Sequence, residues 1–291
     1  MFVIDVLVSG LILGGMYALV AMGLTLQYGV ARILNLAYGE ILVAAAFATY
    51  VLFQAFALSP VLSFFIVIPF AFGANWLIYR FMLMPLVRRA KNRAALEVDS
   101  ILATFGLLFV LQGVAFVLFG GQYYSFSYLS VPISVLGSTV ALNRLVALGC
   151  ALTIGMALYL VLTRTRTGTA IRAVAADPMA AQLVAIDVRK LAGLAFALGG
   201  AVCAVGGLLS SMFLTFNAAM GVVFTMKALI VVIMGGVGHV MGALVAGLLL
   251  GLAETVVARL VDPGLTLAAN YALFLLVLLI RPTGLFGRPA T

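Results

Sequence analysis

Charged side chains are scarce in this sequence. Only 8% of its 291 residues are Asp, Glu, Lys or Arg, whereas 66% are hydrophobic, and the mean hydropathy is +1.30. Soluble globular domains carry about 25% charged residues, so this composition excludes that class. Seven long runs contain no charged residue at all: 6–31, 41–79, 100–143, 145–163, 191–226, 228–253 and 263–280.

The uncharged runs are long enough to cross a lipid bilayer. A hydrocarbon core about 30 Å thick needs roughly 20 mostly apolar residues per helical crossing. Lipid offers the backbone no hydrogen bonds, so spans must be helices or a closed barrel, and runs that are apolar on every face exclude a barrel. We therefore predict an all-α, polytopic membrane bundle forming a single domain over residues 1–291, with about 8 to 10 spans. The predicted spans are 6–28, 39–58, 61–81, 98–119, 143–163, 191–214, 222–238, 240–260 and 267–281.

Residues that bind metals or perform catalysis are also scarce. Cys150 and Cys203 both lie inside apolar runs, where a thiol behaves as a small hydrophobe and predicts neither a disulfide nor a metal site. The single histidine, His239, cannot form a metal site by itself. No Ser, His and acid constellation and no G-x-x-x-x-G-K-[ST] phosphate loop is present. The sequence therefore predicts no catalytic residue, metal or cofactor in this chain, and an energy source outside it.

The basic residues predict the orientation of the chain. The net charge of +8 is spread among loops without an aromatic platform, which argues against nucleic acid as a partner. Cytoplasmic loops retain the excess of Lys and Arg. With the spans above, only Arg144, Lys227 and Arg259 fall on one side, so we expect an outside N-terminus and a cytoplasmic C-terminus. The thirteen others share the second side: Arg32, Arg80, Arg88, Arg89, Lys91, Arg93, Arg164, Arg166, Arg172, Arg189, Lys190, Arg281 and Arg288.

Glycine is abundant, with thirty residues. Small residues four apart let transmembrane helices approach closely, and we expect packing within the chain rather than a dimerisation face. The segment 222–238, with Lys227 near one end and glycines at the other, either crosses the membrane or re-enters it. No sequence repeat is clear, although a divergent inverted repeat is compatible with the sequence. The GxxxG pairs are Gly10 with Gly14, Gly238 with Gly242, and Gly247 with Gly251.

The segment 163–190 is the most informative polar stretch. Small apolar residues recur in it at helical spacing until Asp177 and Pro178 interrupt the pattern, because a proline supplies no amide donor and restricts the residue before it. Residues 179–186 then predict a second short amphipathic helix. Two short helices that carry basic residues at one end indicate a docking site for a cytoplasmic partner. The alternative is that the arginines only enforce topology.

Nine residues of this segment form a recognisable pattern: Thr165, Arg166, Gly168, Ala170, Arg172, Ala173, Asp177, Leu183 and Ile186. They match T-R-x-G-x-A-x-R-A, an Asp four residues on, then a Leu and an Ile. The segment therefore resembles the cytoplasmic loop of permeases in the branched-chain amino-acid type of ABC importer, the LivH type.

The likeness covers nearly the entire chain. Two positions depart from the family pattern: Tyr38 stands where His is usual, which bears on the solute, and Ala185 stands where Gly is usual. A phenol and an imidazole differ in hydrogen bonding, and only the imidazole titrates near neutrality. The further matching residues are Gly14, Tyr17, Ala18, Gly23, Tyr28, Gly29, Asn35, Leu36, Gly39, Glu40, Lys227, Ala228, Gly235, Gly236, Gly238, Gly242 and 281–287.

The resemblance implies a subunit of a larger machine in a bacterial cytoplasmic membrane. Two ATPase subunits, which bind ATP and Mg, would dock on the loop 163–190. A second homologous permease would complete the pore, and a periplasmic binding protein would deliver branched-chain or related small amino acids. Relatives of this type also carry urea, short amides or aromatic acids. The residues implied in ATPase coupling are Arg166, Gly168, Arg172, Asp177, Pro178, Leu183 and Ile186.

Polar residues stranded in the spans are candidates for contact with the solute: Gln27, Asn35, Tyr38, Glu40, Lys227 and Glu254. Each has a structural alternative. Asn35 could cap a helix with Glu40 in its first turns, near the positive helix end. Glu254 could pair with Arg259 near the outer interface, and Lys227 could snorkel. Amides such as Gln27 bond neighbouring helices more often than they bind solutes.

Two other classes of protein remain open from the residues alone. A gradient-driven secondary transporter or channel usually carries ion-coupling charges near mid-membrane, and this chain has few. A membrane enzyme or scaffold would need a chemical turnover, to which no residue pattern points.

Overall fold

The computed structural model describes residues 2–90, 92–135 and 138–287, which are mostly helical. A two-stranded antiparallel hairpin, β1 (Pro132–Val135) and β2 (Ser138–Ala141), precedes the sixth helix. The predicted all-α bundle is confirmed. In chain order the helices are α1 (Phe2–Ala31), α2 (Tyr38–Phe56), α3 (Pro60–Ile78), α4 (Met84–Arg89), α5 (Arg93–Phe119), α6 (Leu142–Arg164), α7 (Arg166–Ala176), α8 (Pro178–Leu183), α9 (Val188–Ser211), α10 (Gly221–Gly235), α11 (Val240–Leu260) and α12 (Thr266–Ile280).

Eight helical segments of the described chain are long and apolar enough to cross a membrane. One of them, Pro60–Arg89, runs from α3 through the π-helical turn Tyr79–Leu83 into α4. All nine predicted spans coincide with helices, but 222–238 coincides with α10, which has only 15 residues. At 1.5 Å per residue α10 is about 22 Å long, shorter than a hydrocarbon core. It cannot cross the bilayer alone.

Close glycine contacts hold α1 against α11. A Cβ on Gly14 would come within 2.8 Å of the Leu248 Cα, and one on Gly251 would overlap the backbone of Gly14. Gly10 lies against Leu252 in the same way. The prediction that GxxxG pairs pack within the chain is therefore confirmed for this seam, because backbones approach where no side chain intervenes.

The short helix α10 and the helix α2 both begin inside the bundle, next to each other. The Tyr38 hydroxyl, at the start of α2, donates to the Val20 carbonyl oxygen at 2.7 Å. Val20 lies 11 residues before the end of α1, which is about 16 Å along the helix. The Gly39 amide donates to Thr225 Oγ1 of α10 at 2.8 Å, and the Gly221 carbonyl leaves no room for a Cβ on Gly39. From this meeting point the two helices run in opposite directions.

The segments around the meeting point form an inverted repeat. α1 and α9 are antiparallel, with Gly23 against Gly199. α11 packs along α1, and α3 packs along α9, where Gly200 lies against Asn75. The order α1, α2, α3 is thus repeated with opposite direction by α9, α10, α11. The sequence left this repeat open, and many transporters are built from inverted repeats of this kind.

The two ends of the bundle differ in charge. The end that carries α7 and α8, called here the α7–α8 end, holds the described basic residues of the larger set predicted above; Lys91 and Arg288 lie outside the described residues. At the opposite end, Arg144 and Arg259 border one cavity and Arg259 pairs with Asp5 at 3.3 Å. Lys227, which we assigned to that end, is instead buried inside the bundle.

Candidate functional site

The first candidate site is the projection formed by α7 and α8. Thr165 begins it, because its Oγ1 accepts a hydrogen bond from the Gly168 amide at 3.0 Å and donates one to the Val161 carbonyl at 2.6 Å. Gly168 lies so close to the end of α6 that a Cβ would overlap the backbone of Val161 and Leu162. Only glycine permits this approach, so α7 starts in tight contact with α6.

The inner face of α7 anchors the projection to the bundle. Ile171 and Val174 are buried, at 2% and 0% exposed. The Arg32 guanidinium, just beyond α1, donates from Nη2 to the Ala175 carbonyl at 2.8 Å. Burial of two branched aliphatic side chains contributes about 1.5–3 kcal/mol each. The projection is therefore held as a rigid part of the bundle.

Asp177 and Pro178 separate the two helices as the sequence predicts. Asp177 Oδ1 accepts from the amides of Met179 at 2.8 Å and Ala180 at 3.1 Å, which caps α8. Pro178 occupies the first helical position, where a missing amide costs nothing. The second helix ends at Leu183, three residues before its predicted limit, so the helix, interruption and helix are confirmed with this shortening.

The tip of the projection is apolar and exposed. Met179 is 75% exposed, Leu183 89% and Val184 70%. Ile186, predicted with them, is half-buried against the core. Ala185 has a φ of +61°, in the left-handed region that favours glycine. The role of these residues in coupling stays a prediction.

Asp187 caps the helix α9 that follows. Its Oδ1 accepts from the Lys190 amide at 3.1 Å, and its carboxylate lies 3.3 Å from the Lys190 ammonium group. The Lys190 amide, aided by the charge of that side chain, lowers the pKa of Asp187 below 3.8.

The second candidate site is the meeting point of α2 and α10. Gln27 donates to the Phe196 carbonyl at 2.8 Å and accepts from Asn35 at 3.2 Å, while the Asn35 Oδ1 accepts from the Ala37 amide at 3.1 Å. Tyr38 is fully buried, and its hydroxyl also lies 3.2 Å from the Gly199 carbonyl. The structure thus brings Gln27, Asn35 and Tyr38 together around the start of α2, where their polar groups bond to the backbone and to each other.

Glu40 is the ionisable residue of this site. It is only 2% exposed and lies in the first turn of α2, directly against Gly221 at the start of α10. Among the described residues no hydrogen-bond partner satisfies its Oε1. Two helix N-termini, each with positive potential, converge on this carboxyl group. The position fits both readings of Glu40, as a helix-starting residue and as a group facing the transport path.

Lys227 and Glu254 form a third polar site, inside the bundle. The Lys227 Nζ lies 2.8 and 3.0 Å from the two Glu254 carboxylate oxygens and donates to the Tyr17 hydroxyl at 2.6 Å. Asn270 donates to the Glu254 Oε2 at 3.0 Å. The two charged side chains are only 11% and 12% exposed. The charges neutralise each other in a place where an unpaired charge would be costly.

The expected pair of Glu254 with Arg259 does not form, and this prediction was wrong. The two residues lie five apart on α11, about 140° around the helix, so their side chains leave on different faces. Arg259 instead pairs with Asp5 at 3.3 Å. Snorkelling likewise does not describe Lys227, since its ammonium group is buried. Sequence reasoning missed Tyr17 as the third partner because a tyrosine in an apolar helix gives no distinguishing signal.

Within the described ranges, no group of three His, Cys, Asp or Glu side chains could hold a metal ion.

Comparison with known proteins agrees with this geometry. A family described as branched-chain amino acid transport system / permease component matches residues 6–281. The high-affinity branched-chain amino acid transport system permease protein LivH of Salmonella typhimurium is 29% identical over 97% of this chain and 94% of its own length. The corresponding protein BraD of Pseudomonas aeruginosa is 27% identical over 97% and 95%.

A further relative and a solved structure are also similar to this chain. The probable branched-chain amino acid transport permease protein LivH of Methanocaldococcus jannaschii is 28% identical over 87% of this chain and 80% of its own. PsaBC from Streptococcus pneumoniae in complex with Fab shares the fold, with a TM-score of 0.51, 12% identity, and coverage of 96% of this chain and 92% of that one. This multi-pass membrane chain belongs to the family of permease components of branched-chain amino acid transport systems.

Proposed function

We propose that this chain is the permease subunit of an ATP-driven importer for branched-chain or related small amino acids. The observation that carries the proposal is the α7–α8 projection, which is anchored by buried side chains and ends in an exposed apolar tip. An apolar patch facing water marks a surface for a protein partner. A rigid body with such a tip can pass on the movement of a partner to the helices that hold it.

The partner that this surface fits is an ATPase subunit, which would bind ATP and Mg itself. Two such subunits, one beneath each of two homologous permeases, would push on the two projections together. α7 contacts both α6 and α9, so a push on α8 reaches the central pair α1 and α9. A periplasmic binding protein would deliver the solute at the opposite end, near the β1–β2 hairpin.

The charge distribution supports an orientation with the α7–α8 end in the cytoplasm. Basic residues concentrate at that end, and cytoplasmic segments retain such an excess. The C-terminus would then be cytoplasmic and the N-terminus outside, in a bacterial inner membrane. This orientation brings the projection to the side where ATP is available.

The meeting point of α2 and α10 is the region best suited to opening and closing around a small solute. Two helices begin there within the bundle, and half-helices at mid-depth are where transporters place their substrate sites. The neighbouring polar groups are few, which suits a largely apolar solute that is released rather than held tightly.

The test is uptake by proteoliposomes containing this chain, its ATPase subunits, the second permease and the binding protein. Leucine, isoleucine and valine should accumulate with ATP, while urea, short amides and aromatic acids report the alternative solutes. Leu183→Ser should weaken ATPase binding and uptake together, whereas Val131→Ser, which changes an exposed apolar residue at the opposite end, should leave ATPase binding unchanged. Uptake driven by a proton or sodium gradient in the chain alone would contradict the proposal.

A further inference from the structure

A cavity of about 690 Å³ lies at the α7–α8 end of the bundle, between the ends of α1 and α6, the helix α7 and the turn that joins α10 to α11. Within the described part of the chain, no Asp or Glu lines it. The cavity therefore offers cations and hydrogen-bond donors without a competing carboxylate. Its polar lining residues are Arg32, Tyr159, Thr163, Arg172 and His239.

The cavity lies at the depth of a lipid headgroup. Tyr159 and Thr163 belong to the last turns of α6, which ends at Arg164, and Gly29 belongs to the last turn of α1. Spans of this kind end near the boundary between hydrocarbon and water. An anion bound there would sit where phospholipid phosphates lie.

An apolar surface continues from the cavity along the spans. On α6, Met156 is 58% exposed and Leu160 46%, and on the other side of the opening Met241 of α11 is 43% exposed. A free inorganic anion has no apolar part that could contact this strip. A molecule with an anionic head and a hydrocarbon chain would contact both the basic cavity and the apolar strip.

We propose that the cavity binds the phosphate group of an anionic phospholipid, with an acyl chain along α6. The Arg172 guanidinium can give two parallel hydrogen bonds to phosphate oxygens. The hydroxyl of Tyr159 and an imidazole N–H of His239 supply further donors, whereas the Thr163 hydroxyl already donates to the Tyr159 carbonyl at 2.8 Å. Because Arg172 lies on α7 and His239 adjoins α11, the bound lipid ties the projection to the bundle.

The test is lipid binding by the purified chain in a neutral detergent, followed by native mass spectrometry. Phosphatidylglycerol should bind in preference to phosphatidylcholine with the same acyl chains. Arg172→Gln should weaken phosphatidylglycerol binding about fivefold, the usual effect of one basic residue near an anionic lipid. Arg88→Gln removes an exposed arginine of α4 at the same end and should leave binding unchanged.

A second variant, His239→Gln, and competition by inorganic phosphate test the site further. His239→Gln should also weaken phosphatidylglycerol binding, without altering elution in gel filtration. Equal binding of the two lipids by the wild-type chain would overturn the proposal, as would an equal loss in the Arg172 and Arg88 variants. Displacement of the lipid by millimolar inorganic phosphate would instead assign the site to a free anion. The measurement needs no ATPase, so its failure is distinct from failure of the proposed transport function.

Discussion

Removing one member of the buried pair Lys227–Glu254 should destabilise the bundle strongly. The ammonium group lies 2.8 and 3.0 Å from the carboxylate oxygens, and neither side chain is more than 12% exposed. Breaking a buried pair leaves a charge without its partner, which costs about 3–5 kcal/mol. Replacing both residues by apolar side chains of similar size is often neutral.

The two single substitutions should differ in how much they lower the stability of the bundle. Among the described residues, Glu254→Met leaves the Lys227 ammonium group with only the Tyr17 hydroxyl as an acceptor, 2.6 Å away, besides the face of that ring at 4.7 Å. Lys227→Met leaves the carboxylate with two donors, Tyr17 at 3.3 Å and Asn270 at 3.0 Å. We therefore expect the larger loss for Glu254→Met, and a double variant more stable than either single one.

The assay is reversible unfolding in mixed micelles, followed by circular dichroism, for the wild type, both single variants and the double variant. The coupling energy of this cycle should exceed about 2 kcal/mol, since the pair is in direct contact. Arg259→Gln is the matched control: it breaks an ion pair with Asp5 whose side chains are 48% and 28% exposed, and should cost at most about 1 kcal/mol. Single losses as small as that of the control, or a double variant that shows simple additivity, would refute the reasoning.

Three further predictions concern the helix contacts. Gly39→Ala should lower the melting temperature and abolish uptake, because its Cβ would overlap the facing carbonyl of α10. In Gly73→Ala the added Cβ would meet no atom of another described segment within 4 Å, so this control should be neutral or stabilising. Equal melting temperatures of the two variants would contradict this. Asp177→Ala should remove about 1 kcal/mol of capping stabilisation from α8. It should reduce ATP-coupled uptake while membrane insertion stays intact. An unchanged rate of proteolysis in the projection would argue against this prediction. The pKa of Asp187 is lowered, so its stabilisation of α9 is complete above pH 3.8 and is lost as the pH falls below it. Hydrogen exchange in the first turn of α9, corrected for intrinsic rates, should rise at acid pH, and Asp187→Asn should show no such pH dependence.

Much of the fold follows from local features of the sequence. The uncharged runs predict the spans because lipid tolerates only apolar helices over that length. In the projection, Asp177 and Pro178 define the break because one supplies a capping oxygen and the other lacks an amide. The GxxxG spacing of Gly10 with Gly14, and of Gly247 with Gly251, predicts that α1 and α11 each present a face for close packing, although not that these two faces meet. Each of these features depends on residues close together in the chain or on one helix face.

The sites, by contrast, required the tertiary structure. Lys227 and Tyr17 are separated by 210 residues, and Gly39 and Thr225 by 186, so no local pattern could pair them. Glu254 has Arg259 nearby in sequence, yet its partner comes from another helix, because five residues along a helix turn the side chain away.

The sequence by itself determined that this chain is a helical membrane protein with a two-helix projection, because hydrophobicity, helix caps and helix breakers act locally. Only the tertiary structure decided that α2 and α10 both begin inside the bundle, as corresponding helices of an inverted repeat, and that Lys227 meets Glu254. Those arrangements depend on how helices distant in sequence pack, and that packing is set by the fit of their surfaces within the whole bundle.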